Sequence, residues 1–343
     1  MKKQLTLFAA FLLAISLQAQ APQTVVLVSS TGEVGLIPKG KKKAKPIQNG
    51  AVLKTTGKLQ LAAGAEATVY CNGQFKTLAG SPSVELSGVC AKGGSAPTDA
   101  GYDFGEKLMA AVDMMAVAKK RGDGWSNSVT DPKRGGDGWG NSVTDPKRGG
   151  DGWGNSVTDP KRGGDGWGGK GSKIRIILPF GKVIAETTAF SWSRPANAEP
   201  YLLVIKDEAN KIVHSVTLRD TFARIDLRAL NLTMDKIYHW GVSVSGSKPM
   251  TSNELEFSIG SEEELKEIEA YAKSSSLAGS TKSPTVGSLI EATALENGRW
   301  YYAAQKVYAE LQQKYPDNVV RMMHAAFWMR YGFRYLAENV ARG

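Results

Sequence analysis

The sequence predicts a multidomain chain made of an all-β module, a Gly-rich linker of 14-residue repeats, a β-sandwich and a C-terminal α-helical segment. Three observations predict it. Lys133 to Pro160 reads KRGGDGWGNSVTDP twice without a change, with a frayed copy before it (Arg121 to Pro132) and a truncated one after it (Lys161 to Gly168). On either side, residues 24–90 and 173–259 are short apolar or β-branched runs broken by Gly, Asn and Pro, the pattern of strands and turns. From Ser261 onward the apolar spacing changes to the helical period.

Residues 1–20 begin with Lys2 and Lys3, continue through an apolar run from Leu5 to Leu17 and end in Gln18-Ala19-Gln20 before Ala21-Pro22. That is the three-part plan of a secretory signal peptide, with cleavage expected after Ala19. The run is short for a bilayer crossing, and nothing later resembles a transmembrane segment, so no transmembrane helix is expected in the mature chain. Export follows, to the periplasm, or alternatively to the cell surface or the medium. The formal charge of +10 falls to +8 once Lys2 and Lys3 are removed. Five lysines lie together in Lys39 to Lys45 (KGKKKAK), between two strand-like runs, and read as a solvated hairpin loop. Nucleic acid is electrostatically possible there, but export argues against it, and no nucleic-acid partner is expected.

In 21–92 the strand-like runs are TVVLVSSTG, GEVGLIP, AVLKTTG, KLQLAAG, AEATVYCNG, QFKTLAG and SVELSGVC. Asn72-Gly73 between two of them predicts a tight hairpin, because both residues tolerate positive φ. Cys71 and Cys90 are the only cysteines. An even count in an exported chain predicts one disulfide, which would tie that hairpin to the last strand; a metal site or a reactive thiol has no His or Cys neighbours to support it. The order VVLVSSTGEVGL, then PIQNGAVLKTTGKLQLAAGAEATVYCNGQFKTL, resembles the FecR-type periplasmic β domain. Sensor members of that family carry a cytoplasmic anti-sigma segment and a membrane helix ahead of the domain, where this chain has a signal peptide. The resemblance therefore implies an exported binding or assembly module, with a periplasmic sensor as the alternative.

Segment 93–120 reads as a Gly/Ser/Pro linker followed by a helix from Asp103 to Lys120, with Phe104, Leu108, Val112 and Met115 on one face. Segment 121–172 is the repeat linker. One Trp and one Val per copy are too little apolar surface to offset backbone ordering, so a spacer is the plain reading. The other reading makes the evenly spaced Trp125, Trp139, Trp153 and Trp167 a stacking array for a cell-envelope glycan. Arg121-Gly122-Asp123 is not kept in the other copies and reads as chance.

In 173–260, seven strand-like segments over almost ninety residues predict a two-sheet sandwich. Phe190-Ser191-Trp192, Tyr201 to Ile205, Leu230 and Tyr238-His239-Trp240-Gly241-Val242 resemble a fibronectin type III-like or immunoglobulin-like domain. In that pattern an early Trp packs the core, and the Tyr-x-Trp-x-Val strand lies opposite. Segment 261–284 is a helix opened by the capping box Ser261 to Glu264 and followed by a Ser/Gly/Thr linker from Ser274 to Pro284. In 285–343, Ala292, Leu295, Gly298, Ala304, Tyr308, Leu311 and Pro316 fall close to the tetratricopeptide repeat pattern. A lone repeat cannot bury every face, so Trp300, Trp328 and Tyr331 are candidate binding residues on a surface for a protein partner.

Three histidines are present, with no His-Glu-x-x-His, Gly-x-Ser-x-Gly or phosphate-binding loop. Ser245 to Lys248 matches Ser-x-x-Lys but falls in an expected hairpin turn, where that nucleophile has no helix start. His214 and His239 read as satisfied or surface histidines rather than ligands. No catalytic residue, metal site or cofactor is expected. The function expected is therefore a non-enzymatic exported scaffold for a protein or glycan partner, with a FecR-type sensor and a secreted hydrolase as alternatives.

Overall fold

The computed structural model describes residues 24–80, 82–90, 99–120, 174–194, 200–245 and 249–342. It divides into two compact units, Met1–Ser95 and Ala96–Gly343. None of the described helices is long and apolar enough to cross a membrane.

The first unit contains β1 (Thr24–Thr31), β2 (Val34–Ile37), β3 (Lys45–Pro46), β4 (Val52–Lys54), β5 (Lys58–Leu61), β6 (Glu66–Cys71), β7 (Gln74–Ala79), β8 (Ser83–Glu85) and a single helical turn, α1 (Leu86–Val89). They form two four-stranded antiparallel sheets, β4-β1-β6-β7 and β3-β2-β5-β8. Val25, Leu27, Leu53 and Val69 from the first sheet share one core with Val34, Leu59 and Leu61 from the second. Asn72 and Gly73 turn the β6–β7 hairpin with φ of 51° and 76°, as their residue types predict.

The disulfide between Cys71 and Cys90 is formed, with the two Cα atoms 5.8 Å apart, and Asn72 Nδ2 donates to the Cys90 carbonyl at 2.7 Å. Its far end differs from expectation. The run 83–90 is a strand only to Glu85, and the bridge then lands just past α1. Leu86 and Val89 explain this: three residues apart, they would face opposite sides of a strand, whereas one helical turn puts both in the core. The lysine run also contains more order than a loop, since Gly35 pairs with Pro46 and Leu36 with Lys45.

The second unit opens with α2 (Ala100–Lys120). After the repeats come β9 (Ile176–Leu178), β10 (Gly181–Val183), β11 (Thr187–Trp192), β12 (Tyr201–Lys206), β13 (Ile212–Leu218), β14 (Phe222–Asp226), β15 (Ile237–Val244), β16 (Met250–Thr251) and β17 (Leu255–Ile259). One sheet is β14-β11-β9; the other is β10-β17-β15-β12-β13, with β16 also on β15. Strict alternation in β15 sends Tyr238, Trp240, Val242 and Val244 into the core. Phe190 meets Trp240 and Phe257 edge-on, with centroids 5.0 and 5.8 Å apart. The run VIAETTAFSWS, expected as one segment, is two strands on opposite sheets, β10 and β11.

The helical layer is α3 (Glu262–Lys273), α4 (Ser276–Ser280), α5 (Val286–Asn297), α6 (Tyr301–Lys314), α7 (Asn318–Arg330) and α8 (Arg334–Arg342). Ser261 caps α3 by accepting from the Glu264 N–H at 3.0 Å, as its capping box predicts. Helix α4 lies within 274–284, where a linker was expected: the Asp99 carboxylate accepts from both the backbone N–H and the hydroxyl of Ser276 at 3.2 Å, and Leu277 is buried.

Helix α2 buries the apolar face its sequence predicts, with Phe104, Leu108, Ala111 and Val112 in the core, by packing against α5 and α7. The unit that holds α2 runs from Ala96 and also contains the sandwich and the C-terminal helices.

Candidate functional site

The most strongly perturbed ionisable groups converge where α2, α5, α6 and α7 meet. Glu296, near the end of α5, has no solvent exposure in its side chain. Arg330 at the end of α7 forks onto it, with Nη2 donating to Oε1 at 2.8 Å and Nε donating to Oε2 at 3.1 Å. Lys107 of α2 reaches Oε2 at 3.2 Å, the Tyr308 hydroxyl of α6 donates to Oε1 at 2.7 Å, and the Tyr331 hydroxyl lies 3.4 Å from Oε2. Four helices thus share one carboxylate, with partners 12, 34 and 189 residues away.

Burial alone would raise the Glu296 carboxyl; Arg330 and then Lys107 outweigh it and hold the group at about 2. Burial works against the Arg330 guanidinium, but Glu296 beside it raises its pKa. Tyr308 and Tyr331 are pushed well up by burial and then by the Glu296 charge. Lys107 moves the other way, lowered chiefly by burial, with Glu296 opposing. A general acid or base working near neutrality needs a pKa close to neutral and an open face toward substrate. Here the carboxylate and the guanidinium are driven away from neutrality and bonded to each other. The arrangement is a buried lock, in which each charge depends on its partner.

Beside it, His324 has a defined tautomer. Trp328 Nε1 donates to His324 Nε2 at 2.9 Å, so Nδ1 carries the proton and donates to Gln312 Oε1 at 2.7 Å. The ring lies parallel to Tyr308, with centroids 5.7 Å apart, and burial lowers its pKa to about 4. The imidazole is held neutral.

The same helices receive the sandwich. Phe180, just ahead of β10, is fully buried among Tyr301, Tyr331, Phe333 and Phe327, with centroids 5.2, 5.4, 5.4 and 6.2 Å away. Two glycines permit this close approach. Gly181 has φ of 77°, and a Cβ there would collide with the Arg299 carbonyl; one on Gly260 would meet the Trp300 ring at 2.6 Å. Lys182 N–H donates to the Arg299 carbonyl at 2.8 Å, and Ala189 N–H donates to the Tyr302 hydroxyl at 3.2 Å.

Two of the tryptophans expected on an open recognition surface are therefore core residues. Trp300 is 1% exposed at the sandwich junction, and Trp328 is 4% exposed between His324 and Phe333. Tyr331 is partly buried, its ring against Phe180, Tyr301 and Phe327. The sandwich covers Trp300 and Tyr331 through Gly260 and Phe180, and the helices' own His324, Phe327 and Phe333 cover Trp328. Trp125, Trp139, Trp153 and Trp167 lie outside the described residues, as does most of Ser245 to Lys248. His239 lies 3.7 Å from Glu256, and no cluster of metal-ligating residues is found among the described residues.

Sequence reasoning passed over Glu296, Lys107, Arg330 and Phe180. One signal was present: Leu289, Thr293 and Glu296 share a helix face, so a carboxylate sits on a buried stripe. Its partners could not be read, because they come from 189 residues upstream and 34 downstream.

A three-stranded sheet, β14-β11-β9, faces a larger one in which β13, β12, β15 and β17 follow in order, with an aromatic pair packed between. The middle domain is a β-sandwich of two facing sheets. No family model matches the chain, and no curated protein matches it. Among solved structures it is similar to the FN1–FN3 domains of chicken CNTN1, at 9% identity and a TM-score of 0.21, covering 70% of this chain and 57% of that one. The chain thus spans less than two thirds of that fragment, and the sandwich assignment rests on strand order, to which a likeness at this score adds nothing.

Proposed function

We propose that the protein is a non-enzymatic binding or assembly scaffold, exported to the periplasm, that holds a protein or glycan partner. The observation that carries this reading is the junction of the second unit. The Glu296 network commits the ionisable side chains of α2, α5, α6 and α7 to holding the helices together, and the Phe180 socket commits aromatic ones to joining them with the sandwich. Meanwhile Leu202, Ile212 and Phe222 remain exposed on the sandwich, at 38%, 57% and 53%. A body with its charges locked inside and apolar side chains outside suits holding a partner better than transforming one. The disulfide supports an oxidising compartment. Within this reading the first module is FecR-like, supported by its Asn72-Gly73 hairpin and succession of short strands, and the α5–α6 pair is tetratricopeptide-like, supported by its short turn and the Pro316 stop.

The test is recovery of partners from envelope extracts by the full chain, by an Ile212→Asp/Phe222→Asp variant, and by a chain lacking Lys133 to Pro160. The scaffold reading expects specific partners that one of the two variants loses. A loss of glycan affinity in proportion to the copies removed would assign recognition to the tryptophan repeats. Turnover of a glycan or peptide substrate, abolished by a single Asp, Glu or Ser substitution, would overturn the reading in favour of a hydrolase.

A further inference from the structure

The first unit carries a segregated charge that neither its core nor its disulfide explains. Between Thr24 and Cys90 there are eight lysines, no arginine and three glutamates. Register leaves Lys76 in mid-sheet opposite Val69 and places the others. Thr24 pairs with Lys54 and Ile37 with Lys58, whereas Thr31, at the other end of β1, pairs with Glu66. Glu33 follows Thr31 in the β1–β2 turn, so Glu33 and Glu66 occupy one end of the module. The opposite end carries Lys54, Lys58 and, beyond Ile37, the β2–β3 hairpin with Lys39, Lys41, Lys42, Lys43 and Lys45, all exposed. Glu85 is the one carboxylate placed there by register, and it pairs with Lys58 at 2.6 Å.

The hairpin is built rather than incidental. Lys41 N–H donates to the Pro38 carbonyl at 3.0 Å, and Gly40 has φ of 76°, the third position of a tight turn that needs glycine. The turn and the short β3 ladder project the lysines as a group past the end of the sheet. Like charges held together in this way repel one another, so the grouping costs stability unless something anionic accepts it.

We propose that this end of the module docks on an anionic phospholipid surface. Lysine is a compact point charge without the fork that arginine offers a phosphate or a base, and residues 24–90 contain no arginine. Among the described residues of the unit, the aromatic ones are Tyr70, which is buried, and Phe75, half-buried against it at 4.6 Å, so none of them stands open beside the hairpin as a stacking platform for single-stranded nucleic acid. Clustered lysines with no reading geometry match a diffuse field of negative charge, and a bilayer of anionic headgroups supplies one. Val52, 55% exposed two residues before Lys54, adds an apolar contact at the same end.

The experiment is sedimentation of the full chain with vesicles of phosphatidylcholine alone and with three parts in ten phosphatidylglycerol, at low and high salt. Each surface-proximal lysine contributes roughly fivefold to partitioning, so Lys41→Gln/Lys42→Gln/Lys43→Gln should reduce the preference for anionic over neutral vesicles about 100-fold. A matched control, Lys211→Gln/Lys236→Gln/Lys266→Gln, should leave it unchanged. Because the preference is a ratio, any apolar contribution from residues 1–20 cancels. Equal binding to both vesicle types, or an anionic preference that survives the hairpin substitutions, would overturn the proposal. So would hairpin-dependent binding of RNA or a sulfated glycan with no preference for phosphatidylglycerol.

Discussion

Replacing Glu296 by Gln keeps the shape of the side chain but leaves two buried cations without a counter-charge. The wild-type carboxylate accepts from Arg330 at 2.8 and 3.1 Å, from Lys107 at 3.2 Å and from Tyr308 at 2.7 Å, with no solvent to substitute for any of them. Removing one member of a buried ion pair costs about 3–5 kcal/mol, mostly because the remaining charge is stranded. Lys107→Met should behave differently. Burial already lowers the Lys107 pKa, so exchanging it for an apolar side chain of similar length should change stability by no more than about 1 kcal/mol. In the Glu296→Gln background the same exchange removes a stranded cation and should recover part of the loss, giving a coupling of about 1–3 kcal/mol between residues 189 positions apart. Urea denaturation of the full chain followed by far-ultraviolet circular dichroism reads the helical layer. A cost below about 1 kcal/mol for Glu296→Gln, or strict additivity with Lys107→Met, would show that the two cations do not depend on this carboxylate.

Acid should weaken the second unit in two windows. The free His324 value of 6.5 falls to about 4 in the folded chain, so its contribution is complete above pH 6.5 and is lost as the pH falls through 4; Glu296, 4.5 when free and about 2 when folded, contributes fully above pH 4.5 and loses that as the pH falls through 2. Each gap is worth about 3 kcal/mol, and His324→Gln should flatten the upper window alone in a pH series of denaturation midpoints. Phe180→Ala empties a fully buried socket and should cost about 3–5 kcal/mol by the same assay, whereas Leu202→Ala on the exposed sandwich face should fall within about 0.5 kcal/mol; equal effects would deny the socket its role. Cys71→Ser/Cys90→Ser opens a loop between residues 19 apart and should lower the first unit's stability by about 3 kcal/mol, leaving hydrogen exchange in the second unit unchanged.

The sequence carried the local features well and the long-range ones poorly, for a physical reason. Asn72-Gly73, the Ser261 cap and the alternation of Tyr238, Trp240 and Val242 are fixed by neighbours within a few residues, and each appears as its chemistry requires. The bend at Leu86 failed because a short apolar run fits either a strand or a helical turn, and only the core chooses between them. The apolar face of α2 was visible, but its partner was not: hydrophobic burial is non-directional, and nothing in Phe104 or Leu108 specifies helices beyond an intervening sandwich. Trp300 and Trp328 looked available because a lone helical repeat leaves faces open. Gly260 of the sandwich lies against the Trp300 ring, and Phe327 and Phe333 of the helical layer itself cover Trp328.

Helix α2 and the C-terminal helices form one body, and co-expression of residues 1–120 and 174–343 as separate chains tests this. The two fragments should form a stable complex that survives size-exclusion chromatography and is lost with Phe104→Asp/Leu108→Asp, whose wild-type side chains are fully buried. If 174–343 instead folds alone, with the same stability whether or not 1–120 is present, α2 is not part of that body.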